Sequence, residues 1–219
     1  FSIPIMSARR AVLRPEYAFA KRTLDALLAA LGLVIASPVM LITAIAIKAY
    51  DGGPVFFVQD RCTINGKVFK IHKFRSMIEN AEKDGEVIPA TDDDARITPV
   101  GKIIRKTRLD ELPQFFDILI GNMSVVGPRP ERVEHVEKYV EEVPEFTYRM
   151  KVKGGLTGYA QIYGKYNTSA YDKLKLDLMY IQNYSILLDL RLILMTVKIM
   201  FIKDSTEGFE EIKPSEKKD

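Results

Sequence analysis

The chain is 219 residues long, 47% apolar and nearly neutral at +3, which is enough for one domain with a real hydrophobic core. A single cysteine, Cys62, excludes an intrachain disulfide and a cysteine-based zinc site, and two distant histidines, His72 and His135, offer no metal pair. The charge is unevenly placed: residues 1–22 carry five bases against one acid, and residues 48–75 carry six against two.

These two basic blocks flank an apolar run, and no aromatic-interleaved basic motif of the nucleic-acid-binding kind accompanies them. That pattern fits an anionic membrane face better than nucleic acid, and no nucleic-acid partner is expected, although a soluble nucleotide-binding enzyme could carry the same blocks. Residues 1–22 form a basic segment broken by Pro4 and Pro15, not a cleavable signal peptide. The chain does not begin with Met, which is compatible with a fragment.

Residues 26–47, ALLAALGLVIASPVMLITAIAI, are an uncharged run of 22 that would span a bilayer as a straight helix. Pro38 argues against a straight one, because it removes a helix hydrogen bond and crowds the preceding turn, while Ser37 can satisfy the freed carbonyl. A bend there leaves two halves of ~17 Å each, at the helical rise of ~1.5 Å per residue. Lys21 and Arg22 precede the run and Lys48 follows it, so the bias of bases toward the cytoplasm places both ends on one side. The element over 23–48 therefore reads as a re-entrant hairpin helix broken at Ser37 and Pro38. A kinked spanning helix is the rival that charge alone leaves open.

The stretches at 55–58 and 67–74 alternate apolar and polar residues as strands do, with Asn65-Gly66 between them as a hairpin turn signal. Residues 77–83 read as a short helix, followed by a polar loop ending in Asp92, Asp93 and Asp94. That acidic run lacks the glycine and terminal glutamate of a calcium loop. Residues 100–106 are short and either helical or extended, and they bring Arg105 close to Asp110.

The stretch 105–130, IRKTRLDELPQFFDILIGNMSVVGPRP from Ile104, centres on the adjacent carboxylates Asp110 and Glu111. Pro113 is tolerated only in a first helical turn, so a helix through 114–120 must begin near Asp110, and both carboxylates fall at its N-terminus. Orphan N–H donors and the bases Arg105, Lys106 and Arg108 crowd the same place, which suits phosphate chemistry. The plainer account is equally physical: Asp and Glu favour the first turn of any helix, and Pro113 merely starts it. Gly121 closes the helix, and GPRP at 127–130 is a stiff turn presenting Arg129, a fork suited to an anion.

Residues 131–148 carry an apolar stripe of Val133, Val136, Val140 and Val143 at helical spacing, ended or kinked by Pro144. Residues 151–165 hold four glycines and read as a loop that closes over a nucleotide, without the Lys-Ser/Thr pair of a P-loop. Residues 171–203 form a second membrane-like element, but its apolar part at 186–202 carries Asp189, Arg191 and Lys198, so a helix in the membrane interface or an ordinary core helix fits better than a span. Residues 204–219, with six acids and three bases, read as a disordered tail.

Five motifs in order carry a family resemblance: KFRSM at 73–77, D-x-R-x-T-x-x-G at 94–101, LDELPQ at 109–114, MSVVGPRP at 123–130 and GLTGYAQ at 155–161. Together they resemble the bacterial sugar transferases, the monotopic phosphoglycosyl transferases, over roughly residues 18–201. The resemblance implies an α/β, mostly helical, monotopic membrane enzyme with a re-entrant helix, interfacial helices and a small strand element. Its catalytic domain occupies 49–203 and sits at the cytoplasmic face of the bacterial inner membrane. The implied reaction moves a hexose 1-phosphate from a UDP-sugar to undecaprenyl phosphate and releases UMP, with Asp110 as nucleophile and Glu111 holding Mg²⁺ or helping the acceptor. Lys73, Arg105 and Arg129 are implied on the substrate phosphates, and Mg²⁺ on Asp110 and Glu111. Membrane lipid is a further partner, and a homo-oligomer stays open. Direct displacement without a covalent intermediate, or a non-catalytic membrane scaffold, are the alternatives.

Two departures stand out. Relatives carry Asn, a base and an acid where this chain has Asp117, Ile120 and Asn122, which alters the local charge. They also enter the GLTG stretch through Pro where this chain has Gly154, so that loop is expected to be floppier here. Larger relatives add transmembrane helices and a further domain before the re-entrant helix, so the chain reads as a small-form enzyme or as the catalytic part of a large one.

Overall fold

The computed structural model describes residues 15–79, 81, 94–164 and 169–200. The basic stretch 1–14, Asp92, Asp93, residues 80, 82 and 83 of the helix expected over 77–83, and the tail at 204–219 lie outside them. The described residues of that expected helix are not helical: Met77 forms an extended bridge with Ile97, the Ile78 N–H donates to the Arg96 carbonyl at 2.9 Å, and Glu79 stands in a turn, because pairing with the 96–97 segment takes the backbone hydrogen bonds a helix would need.

The first helix, α1, runs unbroken over Pro15–Asp51 with Pro38 inside it. Proline at 38 cannot donate to the carbonyl of Val34, and the Ser37 hydroxyl donates to that carbonyl instead at 2.8 Å. Among the described residues it is the one helix long and apolar enough to cross a membrane. Its buried positions fall on one stripe, Lys21, Asp25 and Ala29 near the start and Thr43 and Ile47 near the end. Between them lie Leu31, Val34, Ile35, Val39, Leu41 and Ile42, all exposed. An exposed apolar patch of this size is unusual on a soluble protein and marks an interaction surface.

Lys21 and Arg22 do not face the membrane surface, as their flanking position implied. Lys21 is buried and donates to Asp189 at 2.7 Å, and Arg22 donates to the carbonyls of Ile118 and Leu119 at 2.7 and 2.6 Å. The polar start of α1 is thus bolted into the domain, while its apolar middle is left outside.

Strands β1 (Phe56–Cys62) and β2 (Val68–Phe74) form an antiparallel hairpin in which Cys62 pairs with Val68 and Phe56 with Phe74. Asn65 and Gly66 both take positive φ, 56° and 72°, which is the turn chemistry their dipeptide implied. Helix α2 spans Pro99–Lys106, with Thr98 capping it by accepting from the N–H of Gly101. A short 3-10 turn over Leu109–Glu111 then leads to α3, Gln114–Leu119. The helix thus starts later than the Pro113 rule required, because Pro113 occupies the N-cap and the carboxylates sit one turn before it.

Strands β3 (Ser124–Val126) and β4 (Gly155–Thr157) pair in parallel. Between them lie α4 (Val133–Glu142) and a 3-10 stretch over Pro144–Lys151, so the stripe over 131–148 breaks at Pro144. The stretch 151–165 is not one loop: it supplies β4 and a short helix α5, Tyr159–Tyr163. Nor is its entry floppy. The Gly154 N–H donates to the Thr63 hydroxyl at 3.0 Å, its carbonyl accepts from Ser124 at 2.9 Å, and a Cβ on it would stand 2.5 Å from Pro130. Proline here would forfeit the bond to Thr63.

The last described elements are α6 (Ala170–Gln182) and α7 (Ile186–Met200). Helix α7 turns Asp189 and Leu192 inward and leaves Leu187, Leu190, Leu194 and Val197 exposed. Its outer face mixes these apolar residues with the exposed bases Arg191 and Lys198, while Asp189, the third charge that argued against insertion, is turned inside onto Lys21. The main core joins Ala29 of α1, Phe69 and Ile71 of β2, Ile118, Met123, Val126, Tyr180 and Leu192. A second cluster of Ile47, Phe74 and Ile104 seats the far end of α1.

Candidate active site

The 3-10 turn at Leu109–Glu111 is entered through Arg108, held in the left-handed region at φ 56°. This sharp entry lets the chain leave α2 and present Asp110 and Glu111 together beneath the hairpin. Glu111 is largely buried and accepts at Oε1 from Lys73 at 3.1 Å and from Arg129 at 2.5 Å. Lys73 comes from β2, Arg129 from the GPRP turn and Glu111 from the 3-10 turn, so three separate motifs meet at one oxygen.

Burial works against the charge on Glu111, but Arg129 and Lys73 more than offset it and hold its carboxyl well below the usual range. Asp110 responds in the opposite direction. Burial pushes its carboxyl up, Lys73 pulls it down, and the ionised Glu111 next door pushes it up again, for a net rise. Burial likewise lowers Lys73, against the pull of Glu111. The site thus holds one carboxylate clamped by two cations and a second, Asp110, whose side chain accepts no hydrogen bond from the described residues. A carboxylate beside cations yet bonded to none of them suits a nucleophile toward phosphorus.

The side chain of Arg105, at the exposed end of α2, makes no hydrogen bond among the described residues but lies close enough to lower both Asp110 and Asp94. Within the D-x-R motif, Asp94 in turn holds Arg96 at 2.6 Å, and Arg96 also donates to the Ala81 carbonyl at 3.3 Å. Gly101 of that motif is required by space, since a Cβ would stand 1.9 Å from the Ser76 carbonyl.

Some functional neighbours lie outside the sequence motifs. Arg61, at the end of β1, donates to the Pro130 carbonyl at 3.2 Å, and burial followed by the repulsion of Arg129 lowers it to about 10. Arg149 donates to the Arg129 carbonyl at 2.9 Å and is itself held by Asp177 at 2.7 Å. Two arginines therefore brace the backbone of the turn that presents Arg129. Arg61 belongs to the basic block at 48–75, the one sequence signal that pointed its way; nothing in the sequence marked Arg149.

The glycines of GPRP and GLTG serve close backbone approach. A Cβ on Gly155 would stand 2.1 Å from the Gly127 nitrogen, and the two motifs exchange bonds from Gly127 N to Thr157 O at 2.8 Å and from Gly155 N to Pro128 O at 2.9 Å. Ser37 and Pro38, singled out with the site residues, lie in the exposed middle of α1 and belong to attachment. Beside Glu111 and Arg108 opens a pocket of about 320 Å³ with mainly apolar walls from α1, α3, β4 and α7.

No cluster of three His, Cys, Asp or Glu side chains able to hold a metal occurs among the described residues. Both bonds to Glu111 fall on Oε1. Its other oxygen and Asp110 are a donor set for a hard, oxygen-seeking cation only when substrate oxygens complete the shell.

Fold and site define a small, mostly helical domain carrying an exposed apolar helix and a carboxylate pair set among cations, the arrangement of a phosphate-handling centre at a membrane. Residues 16–203 match the family model described as bacterial sugar transferase, and the chain belongs to that family. It is 47% identical over 190 residues to the UDP-glucose:undecaprenyl-phosphate glucose-1-phosphate transferase of Klebsiella pneumoniae, covering 84% of this chain and 41% of that protein. To the UDP-N-acetylgalactosamine-undecaprenyl-phosphate N-acetylgalactosaminephosphotransferase of Aeromonas hydrophila it is 44% identical over 187 residues, 84% of this chain and 44% of that one. The exopolysaccharide production protein ExoY of Sinorhizobium fredii is 37% identical over 199 residues, 84% of this chain and 87% of ExoY. The chain thus spans less than half of the first two relatives and most of the third.

Proposed function

We propose that this chain transfers a hexose 1-phosphate from a UDP-sugar to undecaprenyl phosphate, releasing UMP, as an early membrane step in exopolysaccharide or glycoconjugate assembly. The observation that carries this is the carboxylate of Asp110, unbonded beside a Glu111 that two cations clamp. An oxygen of Asp110 attacks the phosphorus that bears the sugar. The bond from that phosphorus to the bridging oxygen breaks, and UMP leaves with the electron pair. An oxygen of the polyprenyl phosphate then attacks the same phosphorus, the acyl phosphate bond breaks, and Asp110 returns as carboxylate. Two substrates of opposite solubility can in this way use one centre in turn.

Arg129 and Lys73 hold negative charge on the substrate phosphates as well as on Glu111, and Arg105 adds a third cation at the rim. Mg²⁺ would be held by Asp110 and the second oxygen of Glu111 together with the donor diphosphate, and when bound it supplies charge neutralisation.

Attachment is monotopic and cytoplasmic in this reading, with α1 dipping into the membrane and returning. Both ends of α1 pack on the same domain: Lys21 on Asp189 at the start, Ile47 on Phe74 and Ile104, and Asp51 on Arg75 at the end. A helix tied at both ends to one domain supports placing both ends on that domain's side of the bilayer. The deciding experiment incubates the protein with UDP-glucose or UDP-N-acetylgalactosamine and Mg²⁺, then adds undecaprenyl phosphate. Expected are a phosphosugar adduct on Asp110 by mass spectrometry and UMP release that becomes catalytic with acceptor; no UMP with any UDP-sugar rejects the reading.

A further inference from the structure

We propose that the pocket beside Glu111 holds the first isoprene units of the polyprenyl phosphate acceptor, next to its phosphate. This rests on the transferase reading and assigns a place to the acceptor within it. The pocket, about 320 Å³, is walled by Leu28 of α1, Phe115 of α3, Leu156 of β4, and Ile193 and Val197 of α7. Its size lies at the lower end of ordinary ligand sites.

Two features commit the pocket to an amphiphile. Its charged lining residues are Arg108 and Glu111, so the cavity reaches the centre where phosphate is handled. Its wall also contains Gln161, whose amide oxygen and nitrogen are both shut from solvent and hydrogen-bonded to nothing. An unpaired buried amide is costly unless a ligand completes it, and a phosphate oxygen can accept from its nitrogen. A purely hydrocarbon ligand leaves that amide unpaired, and a purely ionic one leaves the apolar wall unused.

The walls are continuous with the membrane-facing surface. Leu28 sits between Leu27 and Leu31, which are 64% and 56% exposed, and Val197 lies on the same α7 face as Leu194, 71% exposed. Leu27 and Leu31 give a lipid chain an apolar approach to the pocket beside Leu28, and the α7 side carries the exposed bases Arg191 and Lys198 among its apolar residues, a mixture suited to an amphiphile with an anionic head. Burying each isoprene unit removes several apolar carbons from water, so blocking the pocket weakens binding strongly.

The test uses the full chain in detergent and needs no turnover. Equilibrium binding of radiolabelled undecaprenyl phosphate, without donor, is measured for Val197→Trp, which fills the pocket from a half-exposed helix position. Leu194→Trp adds the same bulk on the outer face. Expected is a rise in Kd of about tenfold or more for Val197→Trp and less than about twofold for Leu194→Trp. A second variant, Gln161→Leu, keeps the volume and is expected to weaken undecaprenyl phosphate while leaving the neutral alcohol undecaprenol unchanged. Equal affinity in Val197→Trp and Leu194→Trp overturns the assignment, as does a loss confined to UDP-sugar binding, which would make the pocket the nucleotide's. Failure of the transferase reading appears separately, as absence of UMP from wild type.

Discussion

Asp110 and Glu111 are neighbours with opposite electrostatic fates, and the difference assigns their roles. Glu111 is fixed by Lys73 and Arg129, whereas Asp110 is raised by burial and by Glu111. Asp110→Asn keeps the shape of the turn and removes the nucleophile, so turnover is expected to fall by about a thousandfold or more with the phosphosugar adduct absent. Substantial activity in that variant would favour direct displacement. Because Asp110 must be ionised to attack, the rate falls as pH drops through its raised value, above the range of an ordinary aspartate. Lys73 is the neighbour that lowers Asp110 most, so in Lys73→Met the acid limb of kcat/KM should move to higher pH. Arg129→Lys keeps charge but loses the guanidinium fork, and a drop in kcat/KM of about tenfold is expected; wild-type kinetics would make Arg129 a structural part of its turn.

Between elements, the strongest joints are polar and buried. Asp25 of α1 accepts from the Val125 N–H at 3.0 Å and the Ser124 hydroxyl at 2.8 Å, and Asp189 of α7 receives Lys21 and the Tyr180 hydroxyl. Breaking one partner of a buried ion pair strands the other, which costs about 3–5 kcal/mol. Asp189→Ala should therefore lower the unfolding free energy by that order in denaturant titrations, far more than the loss from exposed Leu187→Ala. Were the two variants alike, the Lys21–Asp189 contact would contribute nothing to holding α1.

At the scale of the molecule, exposed apolar side chains run along the middle of α1 and, interspersed with the exposed bases Arg191 and Lys198, along α7. With Cys62 replaced by serine, single cysteines at Phe19 and Tyr50, both exposed near opposite ends of α1, test the topology. Both should react with a membrane-impermeant thiol reagent from the cytoplasmic side of inverted vesicles. Labelling from opposite sides would make α1 a spanning helix. Pro38→Leu restores the missing donor to Val34 and should shift α1 toward spanning, with activity lost through misplacement of the site.

Local rules made much of this protein legible from sequence alone. Alternation and Asn65-Gly66 specified the hairpin, and the linear motifs named Lys73, Asp110, Glu111 and Arg129, which the fold brings together; Ser37 does take the carbonyl that Pro38 frees. Each depends on contacts within a few residues or on a linear signature. Residues 100–106 read equally as helix or extended chain, and the Thr98 cap decides for the helix. Other features needed the tertiary structure. Lys21 looked like a membrane-flanking base and is instead the partner of Asp189, 168 residues away. The glycine-rich stretch after 151 looked like a loop and is a strand, because its partner Ser124–Val126 supplies the hydrogen bonds. Arg149 reaches the Arg129 carbonyl only after α4 has folded back, and the pocket exists only where α1, α3, β4 and α7 converge. Helical periodicity and turn chemistry are short-range and written residue by residue, whereas the choice of partner for a charge or a strand edge is made by the packing of distant elements.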